Sequence, residues 1–171
     1  AALLFFVKVI VMKKIKRQLY HKINNEIEQE IISLIDNGYE QAALGTLGSG
    51  NVPFLSKALP FVFNKGLYLL LSDLSEHTKN VKLNPSVSLY FADIESHRSR
   101  SNNRRLTLQG KLVKLDLSKS SVDFLSLLDK YKLVDYGSEI WANFTDFNFY
   151  RFETSRELYV QGFGKAYERV L

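Results

Sequence analysis

The 171 residues hold 23 Lys and Arg against 18 Asp and Glu, a net charge of +5, which favours an anionic partner without choosing its kind. There is no cysteine, so a disulfide, a thiolate metal site and a cysteine nucleophile are excluded, and a cytoplasmic location is expected. A 46% hydrophobic, 24% charged chain with twelve Phe and nine Tyr predicts one globular, sheet-rich unit at residues 13–171.

Residues 1–12, AALLFFVKVIVM, are too short to span a bilayer as a helix, and their charge follows the apolar run where a secretory signal places it first. Met12 is the only methionine and is read as the natural start, leaving 1–11 as upstream sequence; an added edge strand and a membrane-surface anchor stay open. From Lys13 to Asn37, Ile15, Leu19, Ile23, Ile27, Ile31, Leu34 and Ile35 recur on one helical face, with Gly38 as the stop and His21 on the solvated side. Gln41 to Leu47 predicts a strand, Gly48 to Asn51 a turn, and Val52 to Phe63 a second strand. Pro53 and Pro60 confine that strand to an edge or a bulge.

Leu67 to Leu71 is a run of large apolar residues, predicting a strand buried on both faces. It breaks at Ser72-Asp73 into a short helix capped by Ser75 and stopped before Pro85. A helix start with His77, Thr78 and Lys79 beside it suits a phosphate, and simple capping with solubility explains the same residues. Val87 to Ala92 predicts a strand. Asp93 to Asn103 predicts a mobile, solvated loop, and Arg98, Arg100, Arg104 and Arg105 lack the interleaved aromatics of a nucleic-acid surface. Arg105 to Leu115 alternates as a strand with Gln109 midway. Ser118 opens a helix with Val122, Phe124, Leu125, Leu127 and Leu128 on its buried side. Trp141 follows in a helix or loop. Asp146 to Phe152 and Leu158 to Phe163 predict the last strands, with Phe147, Phe149 and Phe152 in a core or dimer surface. Gly162 and Gly164 mark a close backbone approach. The whole reads as an α+β chain, mainly β: a six-stranded antiparallel barrel with covering helices.

The segments GNVPFLSKALPF (50–61), LYLLLSDLSEHTKNVKLNP (67–85), PSVSLYFAD (85–93), RRLTLQGK (104–111) and GFGKAY (162–167) together resemble the FMN-binding split barrel of the pyridoxamine-phosphate-oxidase superfamily. Within it they are most similar to the heme-utilisation branch. The resemblance implies a homodimer with cofactor sites between subunits; from the residues above, neither a nucleic-acid nor a membrane partner is expected. It implies FMN, with its phosphate near Ser72, His77, Thr78 and Lys79, Asn80 behind, and Ser56 and Gln109 at the ring. Lys57 matches the strand that flanks the flavin. Where the vitamin-phosphate oxidases carry an Arg-Lys pair, this chain has Glu76 and His77.

The heme branch implies heme as the alternative cofactor, with Arg105 near a propionate. That branch holds iron through a histidine beyond the late glycine motif, and no histidine follows His97 here. Triad chemistry lacks a nucleophile-elbow spacing near any histidine, and no two histidines stand at helical ligand spacing for a metal. Three functions therefore remain: an FMN-dependent oxidoreductase, a heme-binding or heme-degrading protein, and a non-catalytic dimeric ligand-binding module.

Overall fold

The computed structural model describes residues 19–171; the apolar segment 1–12 and the first residues of the helix expected from Lys13 lie outside it. Twelve elements follow: β1 His21–Lys22, α1 Asn25–Ile35, β2 Gln41–Leu47, β3 Pro53–Ala58, β4 Phe61–Phe63, β5 Gly66–Ser72, α2 Glu76–Leu83, β6 Ser86–Ala92, β7 Arg105–Lys114, α3 Val122–Tyr131, β8 Phe147–Gly162 and β9 Lys165–Val170. The strands form one nine-stranded sheet in the order β1-β9-β8-β7-β6-β2-β3, from which β5 branches by pairing with β8 and β4 by pairing with β5. Strand β3 pairs only with β2 and β4 only with β5, so the ladder does not close. The chain itself bridges that gap through Leu59 and Pro60. The class is as expected, mostly β with three helices, and the open ladder agrees with a split barrel, while the strands number nine where about six were expected.

Two apolar cores lie on the two sides of β5 and β8. Leu67, Leu69, Leu71, Tyr150 and Phe152 face an inner core with Leu44, Leu89, Phe91, Leu106 and Leu108, and α1 covers it with Ile27, Ile31 and Leu34. Leu70 and Phe149 point the other way, where α3 adds Phe124, Leu127, Leu128 and Tyr131. This explains the unbroken apolar run of β5: it has no wet face. Each such leucine contributes about 1.5–3 kcal/mol by leaving water.

Several expectations need correction. Among the described residues the first helix starts at Asn25, because Asn24 caps it by accepting the Ile27 N–H at 2.9 Å. His21 therefore lies in β1, paired in parallel with β9 and packed on Tyr167 at a centroid distance of 5.5 Å, and Leu19 is exposed. The left-handed turn after α1 falls on Asn37 (φ 61°), not Gly38. The expected strand 52–63 is two, since Pro60 cannot donate to a ladder and the chain changes partners there. The third helix starts at Val122, capped by Ser121 accepting the Phe124 N–H. Val122 and Leu125 are exposed and Tyr131 takes their expected place in the core.

The last two expected strands are one 16-residue strand, β8. A ninth strand, β9, was not expected at all. Gly162-Phe163-Gly164 is the hairpin between them, and Gly164 serves its positive φ of 76° with nothing within 4 Å of an added Cβ. The loop 93–103 carries its own bonds: the buried Asn103 side chain accepts the Ser96 and His97 N–H groups at 3.0 Å. Among the described residues no helix is long and apolar enough to cross a membrane.

Candidate functional site

The residues singled out by sequence fall in three places. The first is the start of α2. Ser75 takes the N-cap backbone conformation, but its hydroxyl donates to the Ser72 carbonyl at 2.6 Å and meets the Thr78 hydroxyl at 2.9 Å. Thr78 is fully buried, so its oxygen belongs to the cap. Asn80 is buried as well and donates to the Thr46 hydroxyl at 3.0 Å, which docks α2 on β2. Ser72 donates to the Asp146 carboxylate. Lys79 is exposed and faces Glu76 at 3.7 Å. His77 turns inward, its Nδ1 3.0 Å from the Ser56 hydroxyl, and burial lowers its pKa from the ordinary imidazole value. Of the predicted phosphate ligands, the structure brings Ser72 and His77 to one pocket, buries Thr78 in the cap and leaves Lys79 exposed; Ser56, expected at the flavin ring, is joined to His77 instead. A pocket of about 420 Å³ opens here, walled by Trp141, Phe147 and Leu59 beside Lys57, Ser75 and His77.

The second place is the outer face of the sheet. Alternation puts Ala42, Leu44, Leu89, Phe91, Leu106 and Leu108 inward, which leaves Ala43, Gly45, Ser88, Tyr90, Ala92, Arg105, Thr107 and Gln109 outward. The register aligns Lys57, Ala43, Tyr90 and Thr107 in one row across four strands, and Arg105 opposite Ala92 in the next. A cleft of about 800 Å³ covers this area, lined by Leu55, Lys57, Tyr90, Ile94, Arg100 and Arg105 among others. Leu55, Tyr90 and Ile94 are large apolar or aromatic side chains open to solvent. Arg100 is paired with Glu95 and Arg104 with Asp93. Arg105 donates only to the carbonyls of Ser101 and Asn103, and Lys57 has no ion-pair partner among the described residues. Two cations are thus free of carboxylates at opposite sides of an apolar floor. Such charges favour an anion that can reach both.

The third place is a neighbouring cleft of about 810 Å³ on the same face, which holds Gln109 beside Gly45, Leu55 and Ser88. Gln109 accepts from Arg156 at 3.1 Å, so it is partly committed to β8. Tyr90 had no signal of its own among nine tyrosines. The available clue was that β6 offers it as the single bulky outward residue between Ser86, Ser88 and Ala92.

Comparison with known proteins agrees with this architecture. The profile of the family described as CREG, beta-barrel matches residues 41–169. Heme oxygenase HutZ of Vibrio cholerae is 28% identical over 130 residues, covering 73% of this chain and 71% of that protein. The structure of Campylobacter jejuni ChuZ superposes with a TM-score of 0.75 at 24% identity, over 88% of this chain but only 61% of ChuZ. A protein of the pyridoxinephosphate oxidase family from Clostridium acetobutylicum, related to general stress protein 26, gives 0.64 at 18% identity over 87% of this chain and 97% of that one. Those two structures speak for the fold. With the profile covering the strands from β2 nearly to the end of β9, the chain belongs to the CREG beta-barrel family, within the split-barrel proteins that its motifs resemble.

Proposed function

We propose that this protein binds heme in the outer-face cleft, as a relative of the heme-utilisation proteins. The observation that carries this is the pair of carboxylate-free cations, Lys57 and Arg105, on either side of the apolar floor formed by Leu55, Tyr90 and Ile94. A flat apolar macrocycle with two carboxylates needs both features. The cleft also lies within the range of about 300–1,000 Å³ common for small-ligand sites. The similarity to HutZ, a heme oxygenase, points the same way. Arg105 would take one propionate and Lys57 the other, while the small side chains of Ala43, Ala92 and Thr107 leave the space around Tyr90 open to a flat ligand. A bound heme supplies a redox-active iron; the residues here bind and orient it.

Titration of the protein with hemin, followed by absorbance, tests this directly. Saturation at one hemin per subunit is expected. Lys57→Ala and Arg105→Ala should each weaken binding by about 1–2 kcal/mol, the size of a charge-assisted contact at a partly exposed site. Unchanged affinity in both variants overturns the proposed cleft.

A second reading, FMN binding with flavin-dependent redox activity, is favoured by the α2 start. There Ser72, Ser75 and His77, the last joined to Ser56, meet a pocket walled by Trp141 and Phe147. Against it stand Glu76 in the first turn and the Asp146 carboxylate on Ser72, both repelling a phosphate. Saturable FMN uptake that His77→Ala abolishes, with no uptake of hemin, would favour the flavin reading over the heme one.

The edge strand β3 also suits self-association, since its exposed Phe54 and Leu55 would be covered by a second copy seated beside the bound heme. Sedimentation should give a dimer that Leu55→Arg converts to monomer. A monomeric wild type overturns it.

A further inference from the structure

Resting on the heme reading, we infer that Tyr90 is the iron ligand of this chain, through its phenolate oxygen. The side chains around the cleft that could offer iron(III) a lone pair are few. Asp93 is paired with Arg104 at 2.6 Å and Glu95 is bidentate to Arg100 at 3.0 and 3.1 Å. Ser56 is engaged by His77 at 3.0 Å. Glu40, just before β2, is an exposed carboxylate that also lines the cleft and is the competing oxygen donor, which a variant at that position separates from Tyr90. Tyr90 is 40% exposed, and its hydroxyl has no hydrogen-bond partner among the described residues.

Its position in the register adds to this. On β6 it is directly opposite Ala43 on one side and Thr107 on the other, with Ala92 two residues along on the same face. With small neighbours on both sides, Tyr90 is the one aromatic side chain lining the cleft and is open to a heme plane entering there. That plane would be held by Lys57, in the same cross-strand row, and by Arg105 in the next. The histidines of the sequence are placed elsewhere. His21 packs on Tyr167, His77 is bound to Ser56, and His97 lines an adjoining polar cavity with Glu30 and Gln161, divided from the cleft by Asp93 and Arg104.

The coordination balances simply: the phenol releases its proton to solvent, the iron–oxygen bond forms, and a water bound to iron leaves. Tyrosine is an established heme ligand in other protein folds. A hard anionic oxygen favours the ferric state, so the bound iron should resist reduction more than a histidine-ligated one.

The test uses the 171-residue protein and hemin. The ferric complex should show a phenolate-to-iron charge-transfer band and tyrosinate ring modes in its resonance Raman spectrum. Tyr90→Phe should remove both and lower hemin affinity at least tenfold, with unchanged far-ultraviolet circular dichroism. Tyr90→His should replace them with an imidazole-ligated spectrum. His97→Ala and Glu40→Ala should leave the wild-type spectrum intact. Hemin binding with the same spectrum in Tyr90→Phe overturns the ligand assignment alone, as does loss of the band in either control variant. A wild-type protein that takes up no hemin overturns the heme reading and this assignment together.

Discussion

His77 is half-buried, its ring nitrogen 3.0 Å from the Ser56 hydroxyl, and the loss of surrounding water lowers its pKa from 6.5. In the unfolded chain the ring takes up its proton near pH 6.5, and in the folded protein only at lower pH. Between those values the unfolded state binds more protons, so stability rises with pH across the window and falls as pH drops through 6.5. Urea unfolding at pH 7.5 and pH 5.5 should show this loss in the wild type, and His77→Gln, which keeps a polar side chain without titrating, should lose less. Equal losses in the two proteins would mean that the ring does not contribute. Asn80 and Thr78 nearby have a different role. Their buried polar atoms bond to Thr46 and Ser75, so their place in the sequence reads as ligand chemistry while their energy goes into seating α2.

At the level of elements, the junction of β7 and β8 depends on one glycine. The register slips between Gln109 and Gly110, and a Cβ on Gly110 would stand 2.0 Å from the Glu153 carbonyl oxygen and 3.1 Å from the Phe152 ring. Gly110→Ala must push two central strands apart, at a cost of about 1–3 kcal/mol or more. Chemical denaturation should find that loss, while Gly137→Ala, whose added carbon meets only the Asp135 carboxylate at 3.6 Å, stays within about 0.5 kcal/mol. A neutral Gly110→Ala would show that the bulge yields. Strands such as β2, β6 and β7 were legible because one face is core and the other is wet, so apolar and polar residues alternate. Strand β8 was not, because Glu153-Thr154-Ser155-Arg156 interrupts its apolar pattern. That polar run falls where β8 changes neighbours, from β5 to β9. Strand β9 is mostly half-exposed, which leaves too little contrast to read. The site was less legible still: Lys57, Tyr90 and Arg105 converge only through strand register, and nothing local in the sequence encodes that.

Across the molecule, the two cores share one wall. Leu69 and Leu71 bury on its inner side and Leu70 on its outer side, as do Tyr150 and Phe149 in β8. Neither core can melt without stripping apolar surface from strands that the other needs, so the described structure should unfold as one unit. Trp141, the sole tryptophan, packs on Phe147 at 4.6 Å and Tyr131 at 6.1 Å and so reports the outer core. Far-ultraviolet circular dichroism is dominated by the helices and sheet as a whole. The two signals should give coincident urea transitions. Leu70→Ala, which opens a cavity on the outer side only, should lower both midpoints together, with a loss of about 2–5 kcal/mol. If tryptophan fluorescence instead moved to lower urea while circular dichroism stayed in place, α3 and its aromatic core would be an independent layer. The shared wall would then not couple the helix layer to the barrel.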